Sequence, residues 1–334
     1  MANLTLQALN DLAVQVLVNS KTSHVNAVAT AEALVAADAD GLASHGVSRL
    51  PAYADQANSG KVDGFAVPDV ELTAAATVRV DAKSGFAFAA IEQGLDRAVA
   101  LVKEMGMVGV GIGRSHHMGA AGYQVERMAQ QGLIALGVTN SPAAIAPWGG
   151  QKSLFGTNPI AFACPRTDSS PLVIDLSLSK VARGKIKLAA DRQEPIAEGL
   201  AVDIEGRPTT DAQAALDGSL LPIGDAKGAA LVLMVEILSA TLTGSNYGYE
   251  AGSFFTGDGS APHIGHFFIL IDPDRFALQN FSERFEVLLS AIEEQPGTRL
   301  PGVRRLAIRH QAEQQGVTIP DALYADLRQR AGLV

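Results

Sequence analysis

The sequence predicts a mixed α/β fold and argues against a simple alternating, doubly wound sheet. Three observations carry this. Runs of helical periodicity occupy both ends of the chain. Short apolar strands alternate with turns from residue 107 to 175. The glycine cluster Gly109, Gly111 and Gly113 follows a strand, but its G-x-G-x-G spacing and the two histidines after it do not fit a dinucleotide-binding turn. These glycines read instead as small residues for close packing. With 334 residues, 47% of them hydrophobic, the chain can bury a large core as one domain or two.

Apolar positions at Leu6, Leu9, Leu12, Val14, Val16 and Leu17 predict a helix over 6–18. A second helix is expected over 23–40, with Ser23 as its cap. "SRLPAYADQANSGKVDG" reads as a turn into a Gly-rich loop. "VPDVELTAAATVRVDAKSG" alternates like a strand, and "AFAAIEQGLDRAVALVKEMGM" like a helix closed by Gly106. "MVGVGIG", "LIALGVTN", "PIAFACP" and "PLVIDLS" are short strands around one helical piece, 119–131. Residues 190–219 are polar and turn-rich, which predicts a surface excursion. "AKGAALVLMVEILSATLTGS" is an apolar helix ended by Gly244, and "GHFFILIDP" a buried strand. The last 60 residues read as two helices with a break at "EQPGTRLPGVRR".

Composition narrows the function. Net charge is −9 and no Lys/Arg block exceeds two residues, so the basic footprint of a nucleic-acid binder is missing. A single cysteine, Cys164, allows no intramolecular disulfide and no cysteine metal cluster; it reads as a small buried hydrophobe. The N-terminal stretch lacks a basic n-region and a cleavage site, and no apolar run is long enough to span a bilayer. A cytoplasmic protein that binds neither membrane nor nucleic acid is expected.

The chemistry concentrates in "DADGLASHGVSRL", residues 38–50. His45 ends a helix, where the dipole favours a protonated ring. Ser44 can hydrogen-bond that ring, and Arg49 can fork a carboxylate. A titratable imidazole, a hydroxyl and a carboxylate clamp together suit reduction of a carbon next to a carboxylate, with histidine delivering the proton. A plain surface histidine at a helix end is the competing view. His116 and His117 form a second candidate. On a strand only one of them could face inward, and a metal-hydrolase reading lacks a partner at helical spacing. The Gly/Ala run after His117 leaves bare amides suited to a phosphate. "PIGDAKGAA", with Gly224, Lys227 and Gly228, offers the same chemistry or a plain loop.

Together these segments resemble the malate/L-lactate dehydrogenase family of the non-Rossmann type, which takes in ureidoglycolate and sulfolactate dehydrogenases, 2,3-diketogulonate reductase and Δ1-piperideine-2-carboxylate/Δ1-pyrroline-2-carboxylate reductases. The matching blocks are "DGLASHGVSRLPAY", "SHHMGAAGY", "TNSPAAIAPWGG", "LFGTNPIAFACP", "IDLSLSKVARGKI", "LPIGDAKGAALVLMVEIL", "GHFFILIDP" and "RLPGVRR", in family order over residues 38–305. The resemblance implies a nicotinamide-binding fold with a largely antiparallel central sheet. It implies a helical region from 1–70 and 275–334 beside a β-rich nicotinamide-binding domain, 71–274, and a homodimer with its active site near the interface. It implies His45 as proton donor supported by Ser44, Arg49 on the substrate carboxylate, and Thr157 at the substrate. His117, Met118, Gly119, Ala120 and Ala121, then Asp175, Leu176 and Ser177, then Ala226 with Lys227, and finally Gly302, Val303 and Arg304, match cofactor-contacting segments. NAD or NADP is the implied cofactor, and no metal is implied.

One position departs from part of the family. The bacterial cyclic-imine reductases carry an aspartate where this chain has Lys185, and lysine is usual in the hydroxyacid dehydrogenases. Lys185 could stabilise a developing alkoxide or simply be a solvated lysine. Against it, "GSNYGYEAGSFF" looks closer to the imine reductases, with Tyr247, Tyr249, Phe254 and Phe255 available to wall a ring. The sequence expectation is an NAD(P)H-dependent reductase of C=N or C=O next to a carboxylate, leaning to Δ1-pyrroline-2-carboxylate. A malate/lactate-type dehydrogenase is the near alternative, and a catalytically silent binding protein of the same fold the remote one.

Overall fold

A computed structural model describes residues 1–277 and 280–333. Its centre is a seven-stranded sheet: β1 (Asp69–Ala74), β2 (Thr77–Asp81), β3 (Met107–Ser115), β4 (Ile134–Thr139), β5 (Ile160–Cys164), β6 (Leu172–Leu176) and β7 (Ile264–Ile271). They lie in the order β1-β2-β3-β7-β4-β5-β6. The β2–β3 pair is parallel and the other five are antiparallel, as the resemblance implied. A parallel pair needs a crossover, and helix Ala87–Met105 supplies it. That helix packs Ile91, Leu95, Ala98 and Val102 onto Val78, Val80, Val110 and Ile112. Each large aliphatic side chain so buried contributes roughly 1.5–3 kcal/mol. Gly94 is needed at the contact, because a Cβ there would stand 2.8 Å from Val80 Cγ2.

Strand β7 enters from far along the chain and joins the two halves of the sheet. Its fully buried His266 meets Thr139 Oγ1 of β4 at 2.7 Å and Ser115 Oγ of β3 at 2.9 Å. Both ring nitrogens are thus satisfied in an apolar interior. Burial holds His266 down to about 3, so the ring is neutral. Of the β3 glycines only Gly113 is required by packing, since a Cβ there would stand 2.7 Å from Thr243 O, whereas Gly109 and Gly111 would meet nothing closer than 3.6 Å.

A second core joins the chain ends. Helices Leu6–Asn19 and His24–Ala39 bury Leu9, Leu17, Ala27 and Leu34 against Leu50, Tyr53, Ile319 and Leu327. Ser23 caps the second helix, accepting the Asn26 amide at 3.3 Å. A third core, around Ile145, Leu178, Ile186, Val232 and Val235, packs on the far side of β4.

Four expectations change. Residues 50–59 form a helix, Leu50–Ser59, because Pro51 falls in its first turn, where it is tolerated. Residues 69–81 form a hairpin rather than one strand. The polar excursion is structured, with three two-residue strands and helix Ala212–Asp217. Among the described residues the C-terminal region holds three α-helices, Phe281–Glu293, Val303–Gln315 and Asp321–Arg330, and strand Val317–Ile319 pairs with Ala2–Leu4. Short strands of this kind carry too few residues to show a period. Among the described residues no helix is long and apolar enough to cross a membrane.

Candidate active site

Helix His24–Ala39 ends before the "SHG" stretch, and two 3₁₀ turns, Ala43–His45 and Val47–Arg49, follow. The buried Asp38 holds them in place. Its Oδ2 accepts the Val47 amide at 2.7 Å, which caps the second turn. Gly46 is obligatory, because a Cβ would lie 2.2 Å from the Asp38 carboxyl. Burial raises Asp38 to about 6, and the Val47 amide pulls the other way.

Ser44 Oγ lies 3.0 Å from His45 Nδ1, and Arg49 Nε donates to Ser44 O at 2.7 Å. The three residues of the sequence expectation therefore form one hydrogen-bonded unit. Burial, and then the Arg49 charge, lower His45 to about 4. This corrects the sequence argument from the helix dipole: His45 sits past the helix end and is neutral at pH 7. The Phe255 ring covers one face of the guanidinium, 4.6 Å from Cζ. Arg49 Nη1 is buried with no hydrogen-bond partner among the described residues. An orphaned, buried, charged donor is costly and marks the edge where an anion fits.

His116 and His117 lie past the end of β3, not on it, and both point inward. His117 stacks on His45 with centroids 5.6 Å apart and 27° between the rings, while its Nδ1 meets Tyr53 Oη at 2.7 Å. His116 Nε2 meets Gln56 Oε1 at 3.1 Å. Burial drives His116 to about 3 and His117 well below the usual histidine range. Phe254 closes over both, 5.5 Å and 4.9 Å from their rings. Among the described residues no three His, Cys, Asp or Glu side chains converge as a metal site. Tyr53, Gln56 and Asp38 escaped the sequence argument. The i, i+3 spacing of Tyr53 and Gln56 was the available signal, hidden by reading their helix as a turn.

The expected cofactor segments gather at helix starts. Met118, Ala120 and Ala121 are buried, and Gly119 has φ +71°, which suits glycine. The start of helix Ala121–Ala129 is not bare, however: Asp175 Oδ2 accepts the Gly122 amide at 2.6 Å. Burial raises Asp175, while Gly122 and Arg305 act against that. Gly302 caps helix Val303–Gln315 with φ +85°. Arg305 and Arg309 of that helix bridge Asp40 and Glu126 in a largely buried four-residue network at 2.6–3.1 Å. The network fixes the start of this helix, with Gly302 beside the Val173 carbonyl and Val303 and Arg304 exposed after it. Helix Ala226–Glu236 has no side-chain cap, and Lys227 is exposed in its first turn. Gly228 packs so tightly that a Cβ would strike Ile223 O at 1.6 Å. Both helix starts lack a side-chain cap and carry an exposed cation in the first turn, an arrangement that suits a phosphate; Lys227 and Arg304 are the residues that could hold one.

Thr157 and Ser177 come together, with Ser177 Oγ 3.5 Å from Thr157 O. Their loop is fixed by buried Glu236, which accepts Asn158 Nδ2 at 2.7 Å and the Gly248 amide at 2.7 Å. Leu176 is exposed beside them. Lys185 is exposed in the first turn of helix Arg183–Asp191. No hydrogen bond or ion pair among the described residues joins Thr157, Lys185 or Lys227 to Ser44, His45 or Arg49. Of the four aromatics expected as a wall, Phe254 and Phe255 reach the site, while Tyr247 and Tyr249 stack on each other.

Residues 4–328 match the family described as malate/L-lactate dehydrogenase. The chain is 52% identical to (2R)-3-sulfolactate dehydrogenase (NADP(+)) of Chromohalobacter salexigens, over 97% of each chain. It is 40% identical to a Δ1-pyrroline-2-carboxylate/Δ1-piperideine-2-carboxylate reductase of Pseudomonas aeruginosa, over 98% of each. The crystal structure of Δ1-piperideine-2-carboxylate reductase from Pseudomonas syringae superposes with a TM-score of 0.94 at 39% identity, covering 99% of this chain and 100% of that one.

Proposed function

Because the chain belongs to the malate/L-lactate dehydrogenase family, we propose that it is an NADP-linked oxidoreductase that interconverts a 2-hydroxy acid and its 2-oxo acid at His45 and Arg49. The observation that carries this is the unpaired, buried Nη1 of Arg49 beside the Ser44–His45 pair. The guanidinium offers its Nη edge to a carboxylate, since Nε is taken by Ser44 O and one face by Phe255. With Nδ1 facing Ser44, Nε2 is left to exchange the proton. Neutral His45 takes the hydroxyl proton in oxidation. A carboxylate beside Arg49 offsets the charge that lowers His45, so the bound substrate favours the protonated ring that reduction needs. NADP(H), when bound, supplies the hydride chemistry.

Among 2-hydroxy acids we propose the 3-sulfolactate type, following the 52% identical relative. Lys185, exposed and in no ion pair among the described residues, is the candidate partner for a second anionic group. The charge beside His45 is the Arg49 guanidinium, which disfavours a cationic iminium there. This moves the proposal away from the imine to which the sequence leaned. Reduction of a cyclic imine is the second reading, favoured by the Phe254–Phe255 wall. Residues 71–274 would carry most of the cofactor, joined by Gly302–Arg304 of the helical region, 1–70 with 275–334, which also bears the catalytic turn. A homodimer is supported by the exposed apolar stripe Leu233, Met234, Ile237 and Leu242, and a cytoplasmic location completes the proposal.

The test is initial-rate kinetics with NADPH and NADH against 3-sulfopyruvate, pyruvate, oxaloacetate and the two cyclic imines. The highest kcat/KM is expected for 3-sulfopyruvate with NADPH. A preference for Δ1-pyrroline-2-carboxylate would install the second reading. Cofactor binding without turnover of any substrate would indicate a silent binding protein.

A further inference from the structure

The aromatic wall over the site is a loop, and the chain devotes a buried cation to holding it. Lys61 follows Gly60, whose φ of +82° ends helix Leu50–Ser59 and turns the chain back. The Lys61 residue is only 6% exposed. Its Nζ donates to three backbone carbonyls of one segment: Ser253 at 2.8 Å, Thr256 at 3.0 Å and Asp258 at 2.7 Å. All three ammonium protons are used, and no carboxylate oxygen bonds it among the described residues. A buried lysine is expensive unless fully hydrogen-bonded, so the arrangement is specific to this loop.

The preceding helix adds two more tethers. Gln56 Nε2 donates to Phe254 O at 2.9 Å, and Ser59 Oγ donates to Gly257 O at 2.8 Å. Five hydrogen bonds from residues 56–61 thus hold residues 253–258. Two side chains of that segment reach the site: Phe254 packs 4.9 Å from His117, and Phe255 lies 4.6 Å from the Arg49 guanidinium. The same helix sends Tyr53 to His117. Its spacing therefore sets both the ring stacked on His45 and the wall facing the substrate.

We propose that Lys61 is a positioning residue for substrate selectivity, acting through the loop 253–258 to hold Phe254 and Phe255 against His117 and Arg49. This rests on the reading of His45 and Arg49 as the substrate site. Lys61 touches neither substrate nor cofactor in this account, and the chemistry at His45 does not depend on it. Loss of its ammonium frees three carbonyls and loosens the wall, so the discrimination between a small oxo acid and a bulkier cyclic acid weakens.

Lys61→Met keeps the aliphatic stem and removes the ammonium. Two readouts separate positioning from general destabilisation. In hydrogen exchange, amides 253–258 should exchange about tenfold faster while those of the central sheet stay unchanged. In kinetics, the ratio of kcat/KM for pyruvate to that for Δ1-piperideine-2-carboxylate should shift by about tenfold, through KM rather than kcat. Lys61→Ala should regain loop protection in added ammonium chloride, because the three carbonyls still converge where Nζ stood, and should not regain it in tetramethylammonium chloride. Should Lys61→Met fail to fold, Ser59→Ala removes one tether and should move both readouts the same way by a smaller factor. Uniformly faster exchange, unchanged exchange, or an unchanged substrate ratio in the folded variant each overturn the proposal. Exchange is measured without turnover. A wild-type protein inactive on every oxo and imino acid would sink the substrate reading, while the exchange result still decides whether Lys61 holds the loop.

Discussion

The carboxylate of Asp38 holds the amide of Val47 at 2.7 Å, and together with the Arg49 Nε–Ser44 O bond this fixes where His45 and Arg49 stand relative to each other. The two turns that carry them are only three residues each, too short to be stable alone. Asp38→Asn keeps an acceptor for Val47, whereas Asp38→Ala leaves a buried amide unsatisfied, a loss of about 1–3 kcal/mol. In Asp38→Ala, kcat should fall about tenfold or more and Tm should drop, with Asp38→Asn restoring most of both. Equal kcat losses in the two variants would show that the bond does not position the turn.

Acid should destabilise the protein through its buried histidines. His116 and His266 are held at about 3 and His45 at about 4, against 6.5 when unfolded. The unfolded chain therefore binds more protons, and the stability these rings confer is present above pH 6.5 and lost as pH falls toward 4. Each ring adds a slope of up to about 1.4 kcal/mol per pH unit. Asp38, raised to about 6, and Asp175 and Glu236, also raised by burial, have the opposite sign over the acidic range and offset part of this loss. Denaturation from pH 7 to 4.5 should show a net loss, and His266→Asn should flatten the slope by about one proton. A flat wild-type profile would contradict the neutral, buried state of these rings.

Arg49 presents a fork whose Nε already belongs to Ser44 O. Arg49→Lys keeps the charge but loses that anchor and the planar edge. It should lower kcat/KM for a 2-oxo acid by about 10²-fold, with NADPH affinity unchanged, in steady-state kinetics and fluorescence titration. An unchanged kcat/KM would remove the clamp.

The clustering of Ser44, His45 and Arg49 was legible because they lie within six residues, where local spacing alone brings a hydroxyl, an imidazole and a guanidinium together. The mixed α/β order followed from periodicity, and the rejection of a dinucleotide turn at Gly109–Gly113 from the glycine spacing and the histidines after it. Two things were not legible. His45's neutrality depends on burial by elements distant in sequence, which a helix-dipole argument cannot supply. The Lys61 and Arg305–Arg309 contacts span about 200 and 180–270 residues, and no local pattern encodes such partners. Helix Leu50–Ser59 went unread although Pro51 stands at its start, where proline is suited, and not in its interior, where it would break the helix.

The most direct measurement is single-turnover oxidation of bound NADPH by wild type and His45→Asn, each saturated with 3-sulfopyruvate. Asparagine keeps a polar group beside Ser44 but cannot exchange the proton. The account predicts a rate lower by roughly 10²–10⁴-fold in His45→Asn, as for a lost general acid, with the Kd for NADPH unchanged. A His45→Asn rate within about threefold of wild type would contradict it.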